Sequence, residues 1–277
     1  MASVQQLLQE ARNLPGDSAR RDAEILLCHT LGKPRSWLYT WPETEPSPDQ
    51  QLAYRELLAQ RHRGKPVAYL IGRREFWSLS LAVDEHTLIP RPETETLVEW
   101  ALELALPDEA AVLDLGTGSG AIALALASER PAWRLIAADC SEQAVAMARV
   151  NAERLGFNNV CCQVSDWLAA FADMRFDLLV SNPPYIEQDD PHLQRGDLRF
   201  EPSTALVAGP DGLSDLRVLA REAPAHLYPG GWLLLEHGYQ QGEAVCQLLR
   251  AAGFSRVATR SDASGHPRIS GGCLHAD

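Results

Sequence analysis

What this chain lacks narrows its identity first. No apolar run approaches the length needed to cross a bilayer. The first residues hold no basic segment followed by an apolar one, so a secretory signal is not expected and the cytoplasm is the default compartment. None of the six cysteines (Cys28, Cys140, Cys161, Cys162, Cys246, Cys273) forms a C-x-x-C pair, and no histidines lie at metal-ligand spacing. A zinc site or a disulfide framework is therefore not expected, no metal is predicted, and the thiols should be reduced and mostly buried. There is no internal repeat and no low-complexity tract.

Positive charge is also scarce, and unevenly so. The net charge is −12. Residues 1–75 carry 11 Lys/Arg against 9 Asp/Glu, which leaves 14 against 28 for the rest of the chain. A half this acidic would repel a phosphate backbone, which argues against a self-sufficient DNA-binding enzyme but not against a protein substrate. The cluster Arg61, Arg63, Lys65, Arg73 and Arg74 reads as a solvated basic face near a domain boundary, or as a steering patch.

What is present reads as two domains. Residues 1–73 predict a small helical domain. Asp17 is a candidate helix cap, Gly32-Lys33-Pro34 a stop, Asp49 a second cap, and Gly64 a second stop. Leu52, Leu57 and Leu58 are the apolar positions of that second helix. Residues 74–92 form a hairpin and linker, alternating over 75–83 and punctuated by prolines after Ile89. Residues 93–277 alternate strand and helix. A helix over 93–106 precedes strands at 111–115, 133–138, 160–164, 176–180 and 232–235, with helices at 121–128 and 142–155. Continuous apolar strands predict a parallel sheet covered on both faces. The last segments, 255–259 and 268–271, have no helix between them and should pair antiparallel.

Strand 111–115 runs into Gly116-Thr117-Gly118-Ser119-Gly120 and then a helix. Glycines let the backbone turn tightly and a ligand approach without meeting a Cβ. Asp139 ends the next strand, where a carboxylate can accept from both ribose hydroxyls of a nucleoside. The spacing is G-x-G-x-G rather than the dinucleotide G-x-G-x-x-G, and the acid Asp114 precedes the loop. That pattern suits S-adenosylmethionine, with its cationic amino-acid tail, better than NAD with its diphosphate. After the third strand, Asp166-Trp167 sits where an adenine would lie: an indole can stack on the base and a carboxylate accept from its amine.

Strand 176–180 ends in Ser181-Asn182-Pro183-Pro184-Tyr185. In doubly wound sheets ligands bind beyond the carboxyl ends of strands, where strand order reverses. The glycine loop and this turn should face one crevice there. A planar amide or amine nitrogen is a poor nucleophile because its lone pair is delocalised. The Asn182 side-chain carbonyl and the Pro183 main-chain carbonyl can each accept one N–H of such a group, orienting it. Pro183 and Pro184 hold φ so that the carbonyls are pre-aimed, and Tyr185 can stack on a planar acceptor.

With these motifs in view, the sequence resembles the HemK/PrmC-type release factor glutamine methyltransferases over essentially its whole length. The resemblance runs through Pro66 to Gly72, Ile89-Pro90-Arg91-Pro92-Glu93-Thr94-Glu95, the glycine loop, Ser165-Asp166-Trp167, Ser181 to Ile186, Glu201-Pro202, and Leu235-Glu236-His237-Gly238. It implies a seven-stranded, mostly parallel class I (Rossmann-like) methyltransferase domain, with a terminal antiparallel hairpin, behind a small helical domain that helps dock the substrate. It implies transfer of a methyl group from S-adenosylmethionine to the N5 amide nitrogen of the glutamine in the Gly-Gly-Gln motif of bacterial peptide chain release factors. The family's cofactor contacts fall here on Gly116, Thr117, Gly118, Ser119, Gly120, Asp139, Trp167 and Asn182. The glutamine amide would be held by Asn182, Pro183, Pro184 and Tyr185. The loop at Ser203-Thr204 and the tail after Gly271 match loosely.

The turn alone is shared with enzymes that methylate base amines, so an N-methyltransferase of RNA or DNA is the alternative. The acidic half and the missing basic, aromatic-rich recognition module weigh against it. Neither stable nucleic-acid binding nor membrane association is expected, and a monomer is the expectation.

Overall fold

Ser47, rather than the expected Asp49, caps the second of the expected helices in a computed structural model that describes residues 1–14 and 18–275. Helix α1 (Val4–Glu10) begins with Ser3 and Gln6 in a reciprocal capping box, and α4 (Pro48–His62) repeats the device with Ser47 and Gln50. Pro48 takes the first helical position, which puts Asp49 inside the first turn, where its charge complements the helix dipole. The other expected cap, Asp17, lies outside the described residues. Gly32 ends α2 (Ala19–Leu31) with φ +62°, followed by α3 (Arg35–Thr40) and α5 (Val67–Ile71). On α4 the buried face is Gln51, Tyr54 and Leu58, and Leu52 is exposed.

Contacts divide the chain into two compact units. The first holds residues 1–73 together with 192–200. Its core packs Leu7, Leu26, Leu27, Leu38 and Tyr54. Arg61, read above as part of a solvated face, is instead mostly buried, bridging Asp22 at 2.8 Å and Asp197 at 2.9 Å. Gly64 lies just past α4 with φ +98°, and a Cβ there would meet the Arg199 guanidinium and the Phe200 ring. The positive φ and the Phe200 ring, 3.2 Å from where that Cβ would be, together favour glycine here.

The second unit holds residues 74–191 and from 201 onward. It opens with a hairpin of β1 (Arg73–Phe76) and β2 (Leu79–Ala82), whose turn residues Trp77 and Ser78 both have positive φ, as a type I′ hairpin turn requires. Among the described residues, seven strands then form one sheet: β3 (Ala111–Leu115), β4 (Arg134–Asp139), β5 (Val160–Val164), β6 (Phe176–Ser181), β7 (Leu227–Glu236), β8 (Phe254–Ser261) and β9 (Pro267–Leu274). Their order is β5-β4-β3-β6-β7-β9-β8. The pairs through β7 are parallel, and β9 runs antiparallel to both β7 and β8. This is the mostly parallel, hairpin-ended sheet expected from the sequence. Strand β7 is longer than the expected 232–235 because a bulge absorbs Tyr228-Pro229-Gly230-Gly231, so that Leu227 still pairs with Phe176.

Side-chain alternation sorts the sheet into two cores. Val112, Leu178, Val180 and Leu234 face α6 (Glu95–Glu103) and α7 (Ala121–Glu129), while Leu113, Leu115, Leu179, Leu233 and Leu235 face α9 (Ser214–Glu222) and α10 (Gly242–Ala251). Helix α7 is buried over its first seven residues, which explains its alanine-rich, unstriped sequence. Helix α8 (Glu142–Leu155) covers β4 and β5, and its Asn151 bonds both the Ala82 backbone and the Ser119 carbonyl, tying the hairpin to the glycine loop. Cys246 and Cys273 are buried as expected, but Cys140 and Cys161 are exposed. Among the described residues no helix is long and apolar enough to cross a membrane.

Candidate cofactor and acceptor site

Strand order reverses at β3, which pairs in parallel with β4 on one side and β6 on the other. Leu115 and Ser181 are register partners, so the glycine loop and the Asn182 turn leave the sheet side by side. The Ser181 hydroxyl donates to the Leu115 carbonyl at 2.7 Å and locks the two exits together. Beyond them lies a cavity of about 350 Å³ lined by Gly116, Gly118, Asp139, Trp167, Asn182 and Pro184. A smaller hollow of about 40 Å³ continues from Gly116, Thr117, Gly118, Ser119 and Asn182 toward Arg91 and Thr94.

Asp139 accepts the backbone N–H of Gly118 on Oδ2 and that of Ser141 on Oδ1, both at 2.9 Å. These bonds fix the carboxylate at the cavity wall and leave each oxygen a lone pair. Gly116 has φ +71°, and a Cβ there would touch the Trp167 ring at 3.5 Å. Trp167 itself is held at φ 44°, a strained value for a bulky residue, with its carbonyl accepting from Ser165 Oγ at 2.7 Å. Its indole also bonds Asp215, whose carboxyl is pushed up mainly by burial. The tryptophan is therefore a rigid wall, and Asp166 beside it is exposed.

Asp114 behaves differently from the expectation that it would meet a cationic ligand. Alternation along β3 puts it on the α7 face, fully buried, and it lines neither cavity. Its Oδ2 accepts from Thr117 Oγ1 at 2.6 Å and from the backbone N–H of Ala123 at 3.1 Å. Gly120, the residue before α7, has no side chain to cap the helix, and Asp114 does so from the strand. Oδ1 has no partner among the described residues, and burial pushes the carboxyl up to about 7.

The acceptor turn is only partly turned toward the cavity. Asn182 lines both hollows, and its Nδ2 donates to Thr94 Oγ1 at 3.3 Å, leaving Oδ1 without a protein partner among the described residues. Pro183 is buried and Pro184 lines the larger cavity. Tyr185, expected to stack on the acceptor, lines neither hollow. Its ring packs in the second core, and its hydroxyl donates to Glu236 Oε1 at 3.4 Å, burial pushing the phenol up. Sequence reasoning gave no role to Thr94 or Glu236, and it missed His86, Thr87, Leu88, Thr204 and Asp215 on the cavity wall. These come from distant loops that carry no spacing signal. Among the described residues no group of three or more His, Cys, Asp or Glu could hold a metal ion.

Comparison with known proteins places this geometry in a family. Residues 2–72 match the family described as the PrmC N-terminal domain, and residues 94–198 match the methyltransferase small domain. The release factor glutamine methyltransferase of Pseudomonas aeruginosa is 52% identical over 269 residues, covering 97% of this chain and 98% of that protein. The chain belongs to the release factor glutamine methyltransferase family. The protein of that name from Vibrio cholerae is 49% identical over 97% of this chain and 93% of its own length. A crystal structure of a methyltransferase from Pyrococcus furiosus matches with a TM-score of 0.55 at 20% identity, covering 78% of this chain and 97% of that one, a likeness of fold alone.

Proposed function

We propose that this methyltransferase transfers a methyl group from S-adenosylmethionine to the N5 amide nitrogen of the glutamine in the Gly-Gly-Gln motif of peptide chain release factors. The observation that carries the reading is the position of Asn182. It lines the cavity beside Asp139 and Trp167, and its carbonyl oxygen is left for a ligand. Family membership along nearly the whole chain supports the substrate.

The residues present fit the cofactor. Asp139 is held in place by two backbone N–H groups with lone pairs free for two ribose hydroxyls, Trp167 offers a fixed apolar wall for the base, and Asp166 stands near it. Gly118 has φ +56° with nothing within 4 Å of where a Cβ would be, leaving room for close approach. When bound, S-adenosylmethionine supplies an electrophilic methyl on a cationic sulfur, which departs as a neutral thioether. Asn182 Oδ1 accepts one N–H of the glutamine amide, and the Pro183 carbonyl accepts the other. Both bonds orient the nitrogen lone pair and favour charge flowing to it. As the N–C bond forms the nitrogen becomes acidic and releases one proton to solvent. Positioning supplies much of the rate.

The release factor acts as a transient protein substrate, and we infer a monomeric enzyme with no stable hold on nucleic acid. Labelled S-adenosylmethionine supplied with a release factor, with the same factor carrying Gln→Ala in Gly-Gly-Gln, and with total RNA or DNA tests this. Label should appear on the first alone. Equal label on the altered factor, or label on nucleic acid only, would overturn the reading.

A further inference from the structure

The acceptor turn leans on a carboxylate that belongs neither to it nor to the glycine loop. Glu236 ends β7 and is 1% exposed. The Thr94 hydroxyl hydrogen-bonds it, and the Tyr185 hydroxyl donates to its Oε1. Thr94 Oγ1 in turn lies 3.3 Å from Asn182 Nδ2. Both Asn182 and Tyr185 of the turn are thus tied to one buried group, 54 and 51 residues further along the chain.

The chemistry of a hydroxyl gives this chain of bonds a direction. Thr94 has one proton to give. With that proton directed to Glu236, Thr94 can only accept from Asn182, so the amide turns its NH2 toward Thr94 and its carbonyl toward the cavity. Without an acceptor at Glu236, Thr94 could donate to Asn182 Oδ1 instead. The amide would then present an NH2 where the substrate amide also presents N–H groups, and no bond could form. Rotating an amide by 180° barely changes its shape, so packing alone would not prevent that flip.

We propose that Glu236 is a positioning residue which, through Thr94, decides which end of the Asn182 amide faces the acceptor and, through the Tyr185 hydroxyl, anchors the far end of the same turn. The proposal rests on the functional reading above, in which Asn182 must accept an N–H. Burial of an acid there is otherwise hard to account for. The preceding residues Leu233, Leu234 and Leu235 are fully buried and apolar, and Glu236 Oε2 has no partner among the described residues. A perturbed buried carboxylate bonded to a residue of the cavity wall is a functional-site candidate.

The full-length enzyme with a release factor as substrate provides the test. Glu236→Leu should lower kcat roughly 100-fold, as a misoriented reacting group does, with KM for the release factor and Kd for S-adenosylmethionine within about threefold. Glu236→Gln keeps a carbonyl for Thr94 and Tyr185, and should recover kcat to within about tenfold of wild type. Thr94→Val should reproduce the loss and Thr94→Ser should not. The Glu236→Leu/Thr94→Val double variant should be no slower than the slower single one, since both break one chain. If Glu236→Leu does not fold, as judged by its thermal unfolding, the Thr94 pair and the Gln variant decide. Three results would overturn the inference: Gln as inactive as Leu, Thr94→Val as active as wild type, or losses that multiply in the double variant. Absence of transfer by the wild-type enzyme would overturn the functional reading as well, whereas an active wild type with an unimpaired Glu236→Leu overturns the inference alone.

Discussion

Glu24 of the helical unit and the pair Asp114 and Glu236 of the methyltransferase unit are all buried acids, and the fold treats them in opposite ways. In the helical unit Glu24 is 1% exposed but accepts from Arg20 at 3.1 Å, from Arg35 at 2.6 Å and from the Tyr39 hydroxyl. Burial pushes its carboxyl up, yet the three bonds outweigh burial and leave it below the usual range. In the methyltransferase unit Asp114 and Glu236 are as deeply buried, each has an oxygen without a partner among the described residues, and burial wins: both are pushed up to about 7. The difference separates two uses of a carboxylate. A fully partnered one holds helices together. A partly partnered one, bonded to a threonine of the cavity wall (Thr117 or Thr94), sustains a local tension that orients the groups around it.

The largest expected effect lies at the end of that second network. Asn182→Ala should reduce methyl transfer by at least roughly 1000-fold while S-adenosylmethionine affinity stays within about tenfold, because one orienting acceptor contributes about 1–3 kcal/mol to binding. Steady-state rates together with calorimetric titration check both halves. A far larger loss of affinity would mean that Asn182 mainly holds the cofactor. Trp167→Ala should come next, weakening cofactor binding roughly tenfold to a hundredfold, since a base–aromatic stack is worth about 1–3 kcal/mol. An unchanged Kd would show that the wall at Gly116 is structural only.

pH separates the two kinds of carboxylate by sign. A folded-state pKa raised to about 7 means the folded protein binds the extra proton, so this contribution to stability is complete below about pH 4.5 and is lost as pH rises through 7. Glu236→Gln, which stays neutral, should therefore gain thermal stability over wild type between pH 5 and pH 8, by a few degrees. Glu24 has the opposite sign: its contribution is present above about pH 4.5 and is lost as pH falls through its lowered value. Glu24→Gln should cost about 1 kcal/mol near pH 7, a small figure because Arg20 and Arg35 reach the acid from solvent with side chains 80% and 63% exposed. That penalty should fade in acid, and kcat should be untouched. Melting curves of both variants across pH 4–8 would dissolve the comparison if the two moved in parallel.

Much of this was legible along the chain. Apolar strands alternating with helices announced a covered parallel sheet, and the absence of a helix between the last two segments announced the antiparallel hairpin, because both signals are local. The glycine loop, Asp139 and the Asn182 turn were legible for the same reason: each sits at the end of one strand, and parallel sheets present those ends together. Helix caps were less legible, since Asp49 and Ser47 are both good caps and only the choice of Pro48 as first helical residue decides between them.

The sequence by itself determined the fold class, the pair of motifs at the reversal of strand order, and the family, since all of these depend on residues near one another in the chain or at the ends of adjacent strands. Tertiary structure alone decided how individual side chains are used. Strand parity turned Asp114 away from the cavity to cap α7, and packing drew the Tyr185 ring into the core. Register between β6 and β7 set Ser181 beside Leu235, which brings Glu236 within reach of the turn that follows Ser181. A hydrogen bond such as that from Asn182 to Thr94 spans 88 residues. No spacing rule encodes it, because the direction of a proton depends on every acceptor the folded chain brings within 3.5 Å.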